Sequence, residues 1–366
     1  MNIYGQITGI NYTTKLNKHL DEFCFDIFDI NSAPSVCTVY DGEYRFAISK
    51  WVSPKRTRSY PYERVYDTLA TAKKITVIPI IKDEGAGGDR DFIQWDTISL
   101  MSLLDTFVIF AYYSSAEKSD KKNKITKQLF DREYVNAKIR EIESYLSSAL
   151  HWNLKELASA NLSQLITKVK SSYNDISNKT GVIMHRESGI DDFAAHLTAT
   201  ASGFINFSRE KARAAQEREY ETIQPKESLK SLSKAKITIT NYLGGEYYFT
   251  VDEIDITEDT LFLIEDKHSV NSIIPSVSDI KDGLLKMILY SNLCNVSLNK
   301  TPISHKAVLR LTSAKLKGTI NSYDTEEKIA DFLNANNIST KQQCIIRELI
   351  AEANTNNFIA RIEQSL

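Results

Sequence analysis

Residues 235–269 carry the feature that most constrains the fold, which is a succession of three strand-like runs joined by short connections. The runs are AKITITNYL (235–243), in which apolar and polar residues alternate, EYYFTVDEIDI (246–256), and TLFLIEDKHS (260–269), which begins with an apolar stretch. Each run predicts a strand. Because the connections are short, we expect three consecutive strands, of which the last two form a hairpin.

The sequence on either side of these runs predicts a mixed α/β arrangement. Residues 208–223 form a highly charged helix candidate, and residues 276–293 predict a second helix with Ser276 or Ser278 as its N-cap. HKAVLRLTS (305–313) returns to the strand period. The resulting order is helix, strand, strand, strand, helix, strand. It predicts the α/β (α+β) fold class, with a core of one mixed sheet flanked by helices.

The chain divides into four regions by period and composition. Residues 1–113 predict a strand-rich N-terminal domain, and residues 114–207 predict a helical segment that begins with an exposed lysine-rich loop at 114–124. Residues 208–320 contain the core, and residues 321–366 predict three short C-terminal helices. A chain of 366 residues with 42% apolar residues is long enough to bury a core in such an arrangement.

Composition excludes several classes of protein. The formal charge is only −2, so attraction to nucleic acid would depend on local basic patches. The longest apolar run, 99–113, is interrupted by Asp105 and falls short of the roughly 20 residues that span a bilayer. The first residues lack a secretory signal, and the four cysteines form no CxxC pair, which favours reduced thiols. We therefore expect a cytoplasmic protein without a membrane partner.

Residues 250–269 hold seven carboxylates, although acidic residues are depleted in strands. If the sequence TEDT forms the hairpin turn, Ile256 pairs with Leu261 across the hairpin. Counting back along both strands then places Asp252 directly opposite Glu265. Directly opposed residues share a face of the sheet, so the two carboxylates would lie side by side.

Lys267 joins the same face, because it lies two residues beyond Glu265. Asp252, Glu265 and Lys267 are therefore expected to converge on one patch. A register slip of one residue would move Asp252 to the opposite face and bring in Glu253 or Asp255 instead. The identity of the first acid stays open among these three residues.

Such a patch has a definite chemistry. Two carboxylates ~4 Å apart repel by about 4 kcal/mol at an effective dielectric near 20, so the pair must take up a proton or a cation. Carboxylate oxygens suit Mg²⁺ or Mn²⁺. A divalent ion there would lower the pKa of a bound water and neutralise a phosphate, while Lys267 supplies a positive charge to the transition state. This is chemistry for phosphodiester hydrolysis.

The sequence EDK at 265–267, at the end of an apolar strand, with Asp252 on the preceding strand, resembles the signature of the PD-(D/E)xK nuclease superfamily. The similarity is greatest to its type II restriction endonuclease-like members. The resemblance implies that Asp252 and Glu265 bind the metal, that Lys267 assists the nucleophile, and that all three are catalytic. Val251 stands where many members have proline.

The matching order of elements spans roughly residues 208–313. The resemblance implies a site-specific deoxyribonuclease of a restriction-modification system. It also implies that the enzyme depends on Mg²⁺ and that Mn²⁺ can replace Mg²⁺. A homodimer is expected, because cutting both strands of a short symmetric DNA site suits two-fold symmetry. Two alternatives stay open: a repair or defence nuclease of the superfamily without sequence specificity, and a non-catalytic DNA-binding or scaffold protein with a structural acidic hairpin.

Two basic stretches are candidates for DNA contact. Residues 45–66 interleave cations with aromatic rings, although a solvated loop anchored by its tyrosines is equally consistent with them. Residues 300–317 contain basic residues and no acid, although a solvated edge strand explains them too. Lys281 and Lys286, on the helix at 276–293, are expected to be exposed to solvent. The residues predicted to contact DNA are Lys50, Lys55, Arg56, Arg58, Tyr60, Lys306 and Arg310.

Overall fold

The structure is a computed structural model, and it describes residues 1–55, 61–199, 201–221 and 234–365. It is mixed α/β, with mixed sheets flanked by helices, which confirms the predicted fold class at this level. None of the helices in these four ranges is both long enough and apolar enough to span a bilayer.

Strands and helices are numbered separately, each in chain order. The strands are β1 (Asn2–Ile7), β2 (Glu22–Cys24), β3 (Val36–Asp41), β4 (Tyr44–Lys50), β5 (Lys74–Pro79), β6 (Ile81–Asp83), β7 (Arg90–Phe92), β8 (Thr106–Ala111), β9 (Tyr113–Lys118), β10 (Ile125–Phe130), β11 (Ala235–Asn241), β12 (Glu246–Val251), β13 (Glu253–Thr257), β14 (Thr260–Ser269), β15 (Cys294–Leu298), β16 (Thr301–Pro302), β17 (Ser304–Ser313), β18 (Thr319–Asn321) and β19 (Ile359–Gln364). The helices are α1 (Pro61–Thr68), α2 (Trp95–Leu103), α3 (Arg132–Glu143), α4 (Ala149–Glu156), α5 (Ser159–Thr180), α6 (Ser188–Ala199), α7 (Ala201–Glu221), α8 (Val277–Ser291), α9 (Glu326–Ala335) and α10 (Thr340–Thr355).

The chain forms two compact units. The continuous unit is His19–Glu210, and the discontinuous unit joins Met1–Lys18 to Lys211–Leu366. This grouping differs from the four predicted regions at both ends of the chain. Strand β1 pairs in parallel with β11, and β19 pairs in parallel with β17, so both termini belong to the unit that contains the acidic hairpin.

The discontinuous unit contains two five-stranded sheets. Sheet I has the order β12-β11-β1-β15-β16. Its strand β11 confirms the first predicted run, with Ala235, Ile237 and Ile239 buried in alternation. The short strands β15 and β16 were not predicted. These two strands are too short to show an alternation of apolar and polar residues. In addition, Asn295 and Asn299 have positive φ and interrupt the extended backbone.

Sheet II has the order β13-β14-β17-β19-β18. Ile256 pairs with Leu261 across the antiparallel hairpin of β13 and β14, which confirms the predicted register. Strand β14 then pairs in parallel with β17, and α8 packs against both strands. The predicted N-cap of α8 is also confirmed, because the side chain of Ser276 accepts a hydrogen bond from the backbone N–H of Asp279.

The predicted strand at 246–256 is not one strand, and this prediction was wrong. It breaks at Asp252, where the chain leaves sheet I and enters sheet II. Val251 pairs with Ala235 in sheet I, whereas Glu253 pairs with Ile264 in sheet II. The alternating apolar positions shift by one residue here, from Phe249 and Val251 to Ile254 and Ile256, and this shift is the signal in the sequence that could have indicated the break.

The prediction of three C-terminal helices was correct for α9 and α10 and wrong for the last segment, which is β19. Ala360 and Ile362 are buried in alternation, and the strand lies between β17 and β18. Pairing on both sides determines its conformation, because these ladders outweigh the local preference of a short segment.

The continuous unit is built on sheet III, which has the order β2-β3-β4-β5-β8. Strands β3 and β4 pair as a hairpin whose turn contains Gly42 in the left-handed region, with φ +54°. Residues 114–124 were predicted as an exposed loop, and this was wrong for residues 114–118, which belong to β9 and pair with β10 in an antiparallel hairpin. Residues 119–124 do form the connection between the two strands.

Candidate active site

The structure brings Asp252, Glu265 and Lys267 together. Asp252 lies at the junction of β12 and β13, and its Oδ2 accepts a hydrogen bond from the backbone N–H of Asp266 at 3.0 Å. Glu265 and Lys267 lie on β14, with Lys267 Nζ 3.0 Å from Glu265 Oε1. Glu265 is almost completely buried, at 1% exposure. Asp252 therefore occupies the first acid position of the predicted patch.

Helix α8 adds two charged side chains to this patch. Lys286 Nζ is 2.7 Å from Glu265 Oε2, so each oxygen of the Glu265 carboxylate contacts a lysine. Asp282 lies one turn before Lys286 on the same helix face, and its Oδ2 is 2.8 Å from Lys267 Nζ. The site is thus a series of ion pairs of alternating charge that connects strand β14 to helix α8.

The predicted solvent exposure of Lys281 and Lys286 was wrong. Lys281 is 3% exposed, and the Lys286 side chain is only 16% exposed. Nine of the fifteen residues of α8 are buried. A helix that is apolar on most of its circumference is itself buried, so a lysine within it needs an acidic partner. The apolar neighbours of Lys286 were the signal that could have identified it.

Gly283 permits a close approach of α8 to the strands. A Cβ atom at this position would lie 2.6 Å from Leu309 Cδ1 and 3.2 Å from Lys267 Cε. The stem of Lys267 therefore runs past the helix where no side chain is present. Because Gly283 has no side chain, the Lys267 ammonium has space to contact both Glu265 and Asp282.

The two acids differ in their affinity for a proton. Burial, with a further contribution from the charge of Glu265, raises the pKa of Asp252 from 3.8 to about 7. Burial also acts to raise the pKa of Glu265, but the charges of Lys286 and Lys267 outweigh it and hold that pKa below its usual value. At neutral pH, Glu265 is ionised and Asp252 is divided between its two protonation states.

Both lysines hold their protons firmly. Burial alone would lower the pKa of Lys267, but Glu265 and Asp282 raise it above its usual value. Burial acts in the same direction on Lys286, whose pKa is raised by Glu265 and Asp252. Each lysine is therefore a fixed positive charge and a hydrogen-bond donor, not a base that accepts a proton from water.

The alternative acids Glu253 and Asp255 lie outside this patch. Glu253 shares the opposite face of sheet II with Asp266, and both carboxylates bind Arg310. Asp255 is exposed on the same hairpin. The register prediction that favoured Asp252 over these two residues therefore agrees with the observed geometry.

Of the three carboxylates in the patch, Asp282 is paired with Lys267, which leaves Asp252 and Glu265 as the two candidate metal ligands. Within the described ranges, no group of three or more histidine, cysteine, aspartate or glutamate side chains could hold a metal ion. Mg²⁺ is commonly held by one or two protein carboxylates, with water and substrate phosphate completing its shell. Asp252 and Glu265 fit such a site, because a cation between them would relieve the repulsion that contributes to the raised pKa of Asp252.

The residues predicted to contact DNA are in different environments. Lys50 Nζ donates to the carbonyl oxygens of Ile30 and Ala33, and Lys55 Nζ pairs with Asp91 at 2.5 Å. Lys306 is exposed on β17. Arg310 is 8% exposed and already engaged by two acids, so a DNA contact would have to compete with those ion pairs. Three predicted residues lie outside the described residues: Arg56, Arg58 and Tyr60.

Comparison with protein-family models, with curated proteins and with solved structures found no match to this chain. The superfamily resemblance carried by Asp252, Glu265 and Lys267 stays a prediction from sequence. An assignment of function therefore depends on the geometry and charge of the site itself.

Proposed function

We propose that this protein is a Mg²⁺-dependent endonuclease that hydrolyses phosphodiester bonds of double-stranded DNA, with a core of the PD-(D/E)xK type. The observation that carries the proposal is the carboxylate pair formed by the half-buried Asp252 and the buried Glu265 beside the protonated Lys267. Strongly perturbed acids next to fixed cations are typical of catalytic sites. Within this proposal, the enzyme is a site-specific type II restriction endonuclease that acts as a cytoplasmic homodimer.

The metal would be held by Asp252 and Glu265, where it would polarise the scissile phosphate and lower the pKa of an attacking water; Mn²⁺ can take its place. Lys267 remains protonated, so its role is to donate to a phosphoryl oxygen as negative charge accumulates on it. Asp282 orients Lys267 through its ion pair from α8. Lys286 keeps Glu265 ionised and in place, which preserves a ligand for the cation.

One observation favours a second candidate function. Both oxygens of Glu265 are already paired with lysines, so the cluster is also consistent with a structural ion-pair network. On this alternative the protein binds DNA, or scaffolds other molecules, without cutting. A third candidate, a nuclease without sequence specificity, shares the same site chemistry and differs only in the pattern of its products.

The test is incubation of the protein with unmethylated plasmid DNA and Mg²⁺, followed by mapping of the fragment ends. Discrete fragments support a site-specific enzyme, and a continuous smear supports a non-specific nuclease. Lys267→Ala should reduce the cleavage rate by about 10²–10³-fold while DNA binding is retained, because it removes one transition-state donor.

Lys341→Ala is the matched control, because Lys341 is an exposed lysine on α10 in the same unit. It should cut at the wild-type rate. Equal cleavage by the Lys267→Ala variant and wild type would contradict the catalytic role. Absence of cutting by wild type with Mg²⁺ and with Mn²⁺, with DNA binding intact, would favour the non-catalytic alternative.

A further inference from the structure

Sheet II has a basic turn at the end where the candidate active site lies. Strands β14, β17 and β19 are parallel, so their last residues lie together at what we call the carboxyl end of the sheet. Lys267 is two residues before the end of β14. Residues 314–318, here called the lysine turn, follow β17 at this end and contain Lys315 and Lys317, which are both exposed. The candidate catalytic lysine and the lysine turn are therefore at the same end of the sheet.

Hydrogen bonds on both sides hold the backbone of the lysine turn. Ser313 Oγ accepts from the backbone N–H of Lys315 at 3.1 Å and donates to the carbonyl oxygen of Ser272 at 2.7 Å. Asn336 Oδ1 accepts from the backbone N–H of Lys317 at 2.7 Å, and Asn336 Nδ2 donates to the carbonyl oxygen of the same lysine at 3.1 Å. The backbone at both lysines is thus already ordered, which lowers the entropy lost when they bind a ligand.

The segment around the lysine turn carries positive charge without acids of its own. Residues 301–323 contain no aspartate or glutamate. Lys315 Nζ donates to the carbonyl oxygen of Asn271 at 2.5 Å, so this contact leaves the charge of the ammonium in place. Leu316, between the two lysines, is only 1% exposed and anchors the middle of the turn. The turn therefore presents two cations on a fixed support.

A solvated edge strand, the other explanation for basic residues in this part of the sequence, does not account for these lysines. Charged residues that prevent association of sheets belong on edge strands. The edge strands of sheet II are β13 and β18, whereas β17 lies between β14 and β19. The lysine turn is outside both edge strands, so protection of an edge does not explain its charge.

The lysine turn is close enough to Lys267 for one duplex to contact both. Leu311 is the partner of Lys267 in the parallel pair, and Lys315 is four residues further along the chain. With at most about 3.6 Å per residue and about 4.8 Å between strands, the Cα atoms of Lys315 and Lys267 lie within roughly 20 Å. Duplex DNA carries one negative charge per about 1.7 Å of its axis. A duplex with one phosphate at Lys267 therefore has further phosphates within this distance.

We propose that the lysine turn binds the backbone of duplex DNA at a phosphate that flanks the scissile one, with Lys315 and Lys317 as donors. Phosphate contacts of this kind position a duplex without reading its sequence. The inference rests on the proposed nuclease function for the place of the scissile phosphate, and it adds the surface on which the substrate lies. It places the contact beyond the end of β17 rather than at Lys306 and Arg310, the residues of this strand predicted from the sequence.

The test is titration of a short fluorescent DNA duplex with the whole protein at several salt concentrations, in the absence of divalent metal so that no cleavage takes place. Lys315→Gln and Lys317→Gln should each reduce the slope of log K against log salt by about 1, and the double variant by about 2, because each lost phosphate contact releases fewer counterions. Each single variant should bind about two- to fivefold more weakly, by the same factor on duplexes of unrelated sequence. Lys317→Arg should keep the wild-type slope.

Lys15→Gln is the matched control, because Lys15 is an exposed lysine of the same unit at the opposite end of sheet II. Its backbone N–H donates to Glu352, near the C-terminal end of α10, and α10 leads directly to the start of β19. Lys15→Gln should keep the wild-type slope. An equal loss of slope in this variant would show that the slope reports net charge alone, which would overturn the proposal.

The outcomes separate this inference from the proposed function. Thermal melting first shows that each variant is folded. If wild type cuts DNA but the single and double variants of Lys315 and Lys317 keep its slope, the inference is overturned and the nuclease proposal stands. If wild type cuts with neither Mg²⁺ nor Mn²⁺ but the slopes still differ, the surface stands and the nuclease proposal fails. In a cutting enzyme, Lys317→Gln should raise KM and leave kcat close to wild type, in contrast to Lys267→Ala.

Discussion

The two faces of β14 carry similar numbers of charges but balance them differently. On one face, Arg310 contacts both Glu253 and Asp266. Burial acts to lower the pKa of Arg310, but the two acids outweigh it and raise that pKa above its usual value. On the other face, Lys267 and Lys286 both pair with Glu265, whereas the neighbouring Asp252 has a pKa of about 7. The planar guanidinium satisfies its acids in a fixed geometry, whereas point charges leave Asp252 able to exchange a proton near neutrality. This difference identifies the face with Asp252 as the candidate reactive one.

The largest effect that we expect comes from Glu265→Gln. The change leaves Lys267 and Lys286 without their shared carboxylate in a buried site, which should lower the free energy of unfolding by about 3–5 kcal/mol. Cleavage of plasmid DNA should fall by at least about 10²-fold. Chemical denaturation and a cleavage assay below the unfolding transition measure the two effects separately.

Asp266→Asn is the control for this change, because Asp266 is the next residue on β14 and points to the opposite face. It should lose stability but cut DNA at a rate close to wild type. Comparable loss of cleavage in both variants, at matched stability, would show that the two faces do not differ in function.

A smaller effect distinguishes the faces by pH. The pKa of Asp252 is raised in the folded protein, so the native state binds the proton more tightly than the unfolded chain does. The protonated Asp252 therefore stabilises the folded state fully at pH values below the pKa of this residue in the unfolded chain, which is near 4. This stabilisation is lost as the pH rises to about 7. Asp252→Asn should therefore be more stable than wild type at pH 8, by about 2–4 kcal/mol, since each pKa unit corresponds to about 1.4 kcal/mol.

Urea denaturation of wild type and the Asp252→Asn variant between pH 4 and pH 8 measures this difference. Glu253→Gln serves as the control on the opposite face, and its curve should keep the wild-type slope because Asp252 is intact. A difference between wild type and Asp252→Asn that does not change with pH would contradict the raised pKa. Mg²⁺ should reduce the difference at pH 8, because a bound cation favours the ionised acid.

The smallest effect is expected from Gly283→Ala. The added Cβ would displace the stem of Lys267 or the buried Leu309, which should slow cleavage about tenfold. Stability should change by less than about 2 kcal/mol, since crowding is partly offset by the better helix propensity of alanine. The ion pairs of Arg310 should be unaffected. Unchanged cleavage would show that the position of Lys267 tolerates movement of α8.

The sequence pattern predicted the parts of the site that depend on local alternation. The register of Ile256 with Leu261 and the N-cap at Ser276 both follow from neighbouring residues, and both are confirmed. The apolar neighbours of Lys286 indicate that it is buried, but its contact with Glu265 could not be predicted in this way. Its environment depends on which face of α8 packs against β14, and that packing is a tertiary property.

The two sheets that meet at Asp252 and the strand β19 were missed for a related reason. The strands that complete these ladders lie far away in sequence, since β1 pairs with β11 in sheet I and β17 pairs with β19 in sheet II. Local propensity does not contain this information. Periodicity therefore predicted which residues alternate but not which ladder each strand joins.

The junction at Asp252 also limits how the chain can change in length. One residue separates the last pair of sheet I, at Val251, from the first pair of sheet II, at Glu253. Deletion of this residue would break one pair of strand residues, either in sheet I or in sheet II. An insertion would move the Asp252 carboxylate away from Glu265. The turn between β13 and β14 has no such restriction. Length variation in this hairpin should therefore be tolerated at its tip and excluded at its base.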